Sequence, residues 1–311
     1  MKNPRSVLQK LGPLIGLILI CLVLTILTDR FFTAANLLNV ARQVSINALL
    51  GVGMTFVILT GGIDLSVGSI LALSGALAAG ALGLGLDPVM AVLIACLVGL
   101  LAGTVNGTIV AFGKVAPFVA TLATMTLFRG ATLIYTEGRP VRAVDEGFNQ
   151  LGVGYLGPIP TPVIITALVF LLAWYVLSHM TPGRRIYAIG GNEEATRLSG
   201  IKTNRYKILV YSISGLLAGL AGAILTSRLL SAQPTAGYGY ELDAIAAVVI
   251  GGTSLSGGAG GVIGTLVGAL IIGVIDNGLN LLNVSSFYQQ AVKGLIILTA
   301  VLMDRRNASR G

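Results

Sequence analysis

Of the 311 residues, 55% are hydrophobic and only 10% charged, whereas soluble domains carry about a quarter charged residues. That balance excludes a water-facing globular surface. The net charge of +8 sits at the ends of apolar runs with no aromatic-interleaved basic groove, which argues against nucleic acid as a partner.

Taken from the start, the first apolar run covers 11–28 and follows Lys2, Arg5 and Lys10. No small-residue cleavage site precedes Asp29 and Arg30, so the run is read as an uncleaved span and not a signal peptide. Further spans of the length that crosses a hydrocarbon core are expected at 44–60, 68–86, 89–112, 116–135, 162–178, 207–227, 241–256, 261–282 and 287–303. The whole chain, 1–311, is thus one all-α integral membrane domain with about ten transmembrane helices and lipid around it. An even count returns the C-terminus to the side of the N-terminus. It places the basic residues near both ends, Lys114 and the stretch 184–207 together on one side, which the positive-inside rule makes cytoplasmic. The segment 136–161, with its prolines, glycines and mixed charges, becomes the longest external loop, with room for a short re-entrant helix.

Two cysteines, Cys21 and Cys96, lie inside apolar runs, where thiols pack as small hydrophobes; no disulfide framework or zinc spacing exists. Glycine, 42 in all, recurs every fourth position at Gly99, Gly103 and Gly107 and again at Gly260, Gly264 and Gly268, the spacing that lets helices approach closely in lipid. A short segment recurs as well: GGIDLSVG at 61–68 and GGTSLSGG at 251–258. Glycine-broken apolar segments in two halves point to a transport pathway, with chance repetition in a glycine-rich chain as the rival. The expected topology puts both copies on the cytoplasmic side, where an inverted repeat would not place them.

Catalytic machinery is missing from the pattern. Around Gly113 and Lys114 a phosphate-binding loop fails, because Thr108 stands where glycine is needed and Val115 where the magnesium-binding hydroxyl is needed. The one histidine, His179, lies at a span end, so no nucleophile–histidine pair or metal site is expected in the membrane. Ionisable residues within the spans, Asp64, Arg129, Asp243 and Asp276, cost about 2.5–3.5 kcal/mol on insertion scales and are functional candidates by default. Arg129 is within snorkelling reach of an interface. For Asp64 a structural cap and a pathway role both stand. The set is too small for a proton relay, which disfavours an ion-coupled carrier. Asp64 with the neutral polar residues Ser66, Asn106, Thr253, Ser254, Asn277 and Asn280 forms the candidate lining for a neutral, hydroxyl-rich solute; interhelical hydrogen bonding is the other use of such residues.

The loop at 183–207 is the sharpest feature. Asn192 is a good N-cap, Glu193 and Glu194 meet the positive helix end, and Gly200 suits the left-handed stop. A short helix over 192–199 follows. Its apolar residues Ala195 and Leu198 are too few to anchor a span and fit a partner's groove; the alternative is a helix lying on the protein itself.

The motifs SINALLGVGMTFVILTGGIDLSVGSILALSGAL at 45–77, APFVATLATMTLFRG at 116–130, GRRIYAIGGNEEATRLSGI at 183–201, SAQPTAGYGYELDAIAAVVIGGTSLSGG at 231–258 and DNGLNLLNVSSFYQQAVKG at 276–294 resemble, in order and over nearly the full chain, the permease subunit of bacterial ribose-type ABC importers. The resemblance implies a vitamin B12 importer-like permease fold in the bacterial cell membrane. It implies a second copy of the chain as partner, a separate ATP-binding subunit that uses ATP and magnesium, and an extracytoplasmic sugar-binding protein. The chain itself binds no cofactor or metal on this reading and is not an enzyme. Coupling to the ATPase falls on Gly190, Gly191, Asn192, Glu193, Glu194, Ala195, Arg197, Leu198, Ser199 and Gly200. Ribose is the expected cargo; relatives carry galactose, xylose, other sugars or a sugar-like signal. The chain departs from the family in reading Ala259, Gly260, Gly261 where relatives often have basic residues.

Overall fold

The computed structural model describes residues 4–308, and the side chains of 12–299, 301 and 302. The flanking basic residues Lys2, Arg5, Lys10, Arg305, Arg306 and Arg310, on which part of the topology rests, lie outside those described side chains.

Helix α1 (Pro4–Leu27) leads to α2 (Ala34–Leu59), which starts where Thr33 accepts a hydrogen bond from the Asn36 backbone at 3.3 Å. Every residue of α2 from 44 to 59 is buried, so this apolar helix is the centre of the bundle. After a break, α3 (Val67–Gly83) and α4 (Pro88–Phe112) follow. The Asp87 carboxylate caps α4 by accepting from Val89 N at 2.8 Å, and Pro88 supplies the fixed φ of a first turn.

Helix α4 shows which solvent the fold is made for. Leu93, Leu97 and Leu101, four apart, face outward and are each more than half exposed, while Ala91, Ala95, Gly99, Gly103 and Gly107 face inward and are buried. Large apolar side chains outside and small ones inside reverse the order a water-soluble helix needs, and suit lipid. The small face meets α10 (Thr203–Leu229) backbone to backbone: a Cβ on Gly99 would stand 2.2 Å from the Gly215 carbonyl oxygen, and one on Gly103 2.2 Å from that of Tyr211.

The second glycine row is only partly helical. In α12 (Val262–Leu281), Gly264 and Gly268 lie against the carbonyls of Gly251 and Ala247, at the end of α11 (Tyr240–Ile250). Gly260 precedes the helix with φ +123, a conformation L side chains rarely adopt, and folds against Thr253. The expected packing row therefore has two helical members.

Among the described residues, six helices are long and apolar enough to cross a membrane: α2, α4, α5 (Pro117–Thr136), α7 (Thr161–His179), α10 and α12. Apolar parts of α1 and α3 are shorter. The interval expected at 241–256 is corrected: α11 has 11 residues and ends at Ile250, reaching about 16 Å, half of a ~30 Å hydrocarbon core. Helix α13 (Ser286–Ala308) occupies the last interval.

Between α5 and α7 lie β1 (Val141–Arg142), α6 (Glu146–Gly152) and the hairpin of β2 (Tyr155–Leu156) with β3 (Ile159–Pro160). β1 pairs antiparallel with β4 (Ser231–Ala232), Val141 opposite Ala232, and Ser227 Oγ ties α6 to α10 by donating to the Phe148 carbonyl at 2.7 Å and accepting from Gly152 N at 2.8 Å. Arg129 belongs to this end. Instead of snorkelling, it is buried, donates to the carbonyls of Pro234 at 3.2 Å and Ala236 at 2.6 Å, and stacks 4.0 Å over Tyr238. At the opposite end lie the α2–α3 break, the α4–α5 turn, the α11–α12 loop, and the short helices α8 (Thr181–Gly191) and α9 (Glu193–Leu198).

Candidate functional site

Three constellations hold the singled-out residues. The first begins at α9. Asn192, extended at φ −161, accepts from Ala195 N at 2.9 Å, and Gly200 at φ +84 stops the chain after Ser199. Glu194 pairs with Arg197 at 2.6 Å, and this guanidinium holds its carboxyl below the usual glutamate range. Glu193 reaches Lys207 on α10 at 2.7 Å. Of the apolar side, Ala195 is exposed and Leu198 is 76% exposed, whereas Thr196 turns inward and donates to the Ala188 carbonyl of α8 at 2.9 Å. The short helix thus rests on α8 with its apolar outer side uncovered, above a groove formed with Val110, Lys114, Pro117 and Asn204.

Helix α8 carries that support inward. Ile186 and Ile189 are buried, Tyr187 donates to the Gly260 carbonyl at 2.8 Å, and Gly190 is wedged where the two glycine-broken segments meet. Gly258 N donates to the Leu59 carbonyl at 3.0 Å, and a Cβ on Gly190 would lie 1.9 Å from that same oxygen and 2.3 Å from Gly258 N. The recurrence of the segment on one side of the bundle now has a physical reading: the two breaks pack on each other, with α8 as the third member. Sequence spacing marked the repeat and α9; it gave no sign of α8, whose apolar residues sit among Arg184 and Arg185.

The second constellation surrounds Asp64, which is fully buried. Its Oδ1 accepts from Ser66 N at 3.0 Å and Ser66 Oγ at 2.6 Å, and its Oδ2 accepts from Ser214 of α10 at 2.9 Å. Asn106 of α4 donates to Ser66 Oγ at 2.7 Å. Asp64, Ser66 and Asn106 are each 0% exposed, so the cluster locks α4 and α10 to the break before α3 and lines no channel within the subunit. Thr253 is likewise buried, accepting from Gly261 N at 3.2 Å, and Ser254 closes its own loop, its N donating to the Ala259 carbonyl at 3.0 Å. Asn277 is consumed by a reciprocal amide pair with Asn36, at 3.0 and 2.8 Å.

The third gathers Asp243 of α11, Asp276 of α12 and Lys293 of α13. The ammonium bridges both carboxylates, at 3.0 Å to Asp243 and 2.9 Å to Asp276. Asn280 stands beside them and accepts from Gln289 at 2.9 Å. Together with Gln43 and Asn47 of α2, Arg228 and Tyr240, they line a cavity of about 200 Å3. Sequence reasoning missed Lys293. Two acids in apolar helices without a base between them were the signal that one was needed. Of the residues expected to line a pathway, Asn280 reaches this cavity and Asn277 adjoins it in α12; the other five do not.

Residues 36–301 match the family described as the branched-chain amino acid transport system permease component. The chain belongs to this permease family. The permease is 59% identical over 307 residues to the ribose import permease protein of Bacillus subtilis, covering 98% of this chain and 95% of that one. It is 55% identical over 309 residues to that of Escherichia coli, covering 97% and 95%. The D-allose transport system permease protein of Escherichia coli is 43% identical over 278 residues, 89% and 85% of the two chains. No solved structure matches it.

Proposed function

We propose that this chain is the membrane-spanning subunit of an ATP-driven importer that translocates ribose. Two copies form the transporter on this reading, an ATP-binding subunit docks on the end that carries α9, and an extracytoplasmic binding protein delivers sugar to the other end. Identity of 55% or more to two ribose permeases, against 43% to an allose permease, carries the choice of sugar. Its uncovered Leu198 and its rigid seat on α8 support α9 as the coupling element. Both termini are cytoplasmic and ten segments enter the membrane in the arrangement of a vitamin B12 importer, with α11 only part-way across.

ATP-driven closure of the partner moves α9; Thr196 passes the movement to α8, and Gly190 and Tyr187 pass it to the α2–α3 break and the start of α12. The test is reconstitution. Vesicles containing permease, ATPase and binding protein accumulate ribose when given ATP and magnesium, and omission of any one component stops uptake. Accumulation by the permease alone, driven by an ion gradient, would mark an autonomous carrier instead.

A further inference from the structure

We propose that the cavity between α2, α11, α12 and α13 is a binding site for one monosaccharide, held within a single subunit. This rests on the reading of the chain as a sugar permease. Asp276 is 6% exposed and lines the cavity; its Oδ2 is taken by Lys293, while its Oδ1, buried, has no hydrogen-bond partner among the described residues. The polar groups that face the cavity need hydrogen-bond partners from whatever fills it.

The wall identifies the occupant's chemistry. Asp243 and Asp276 are balanced by Lys293 and Arg228, so the formal charge of the lining is zero and an ion gains nothing by entering. The rest of the polar wall is mostly neutral amide, from Gln43, Asn47, Asn280 and Gln289. Amides offer donor and acceptor side by side, and a sugar hydroxyl both donates and accepts, so a polyol replaces its water here without a counter-charge. The volume of about 200 Å3 equals the liquid share of roughly seven waters at about 30 Å3 each, room for one sugar ring.

Its place in the bundle links it to the coupling machinery. The cavity lies toward the end opposite α9. Helix α2 supplies Gln43 and Asn47 to its wall and ends at Leu59, and α12 supplies Asp276 and Asn280 and begins beside Gly260. Leu59 and Gly260 are the contacts of Gly190 and Tyr187. Two walls of the cavity are therefore the far ends of the two helices that α8 touches, and a shift of α8 changes the site's shape.

Equilibrium dialysis of radiolabelled D-ribose against the full-length permease in lipid nanodiscs tests the site directly. Saturable binding is expected, weakened about tenfold by Asp276→Asn, which exchanges the carboxylate paired with Lys293 for a neutral amide, and by Asn280→Ala, which removes a hydrogen-bonding group from the wall. Asn280 carries no charge, so its variant keeps the Lys293 bridge and reports on the site even if the Asp276 variant does not fold. Absence of saturable binding in the wild-type permease, or unchanged affinity in both variants, overturns the proposal. Ribose uptake by the assembled importer is scored separately: intact binding with no uptake refutes the transport function and leaves the site standing.

Discussion

Asp64 illustrates how a charged residue lives in this membrane interior. Among the described residues no cation lies on it; three neutral donors from Ser66 and Ser214 satisfy both oxygens, and two of them come from its own turn. Ser214→Ala strips Oδ2 of its donor in a fully buried place, a loss of about 1–3 kcal/mol. It is expected to lower the unfolding midpoint in detergent while leaving Ser66 and the turn intact; an unchanged midpoint would show that the cluster contributes nothing to stability. From the sequence, Asp64 stood equally as cap and as pathway residue, because the decisive partner, Ser214, is 150 positions away. Lys293 escaped notice for the same reason: its role is set by Asp243 and Asp276, which come from two other helices.

At the scale of elements, what was legible is what local chemistry specifies. The cap at Asn192, the acidic first turn and the left-handed Gly200 are written within nine residues, and α9 appears where they require it. The glycine row at 99, 103 and 107 was legible as a packing face, though its partner, Gly215 of α10, was not, since spacing names a face and never the face opposite. Helix α8 was not legible at all, because its burial depends on the meeting of two breaks distant in sequence. The junction gives a matched pair of tests. Gly190→Ala drives a methyl into the Leu59 carbonyl and Gly258 N, while the same change at Gly191 meets nothing within 4 Å. If α8 transmits the stroke, Gly190→Ala lowers ATP-dependent uptake by at least about tenfold and Gly191→Ala leaves it within about twofold. Equal effects of the two would show that the glycine contact is not part of transmission.

For the whole molecule, composition alone fixed lipid as the solvent, and the exposed leucines of α4 with small residues behind them bear this out. The number of crossings was harder to read, because apolar runs broken by glycine look continuous: 241–256 passed for one span where α11 stops half-way. Those breaks place closely packed, glycine-rich backbone next to the element proposed to meet the ATPase. The central claim is that energy enters from outside through α9. Glu193 also holds Lys207, so changing it disturbs the fold's own contacts. Leu198, 76% exposed, does not have that complication. Ribose uptake by the reconstituted importer carrying Leu198→Arg, normalised to permease in the membrane, is the most direct measurement. The account predicts a fall of at least about tenfold at wild-type permease levels, since a charge is forced into an apolar contact. Undiminished uptake would contradict it.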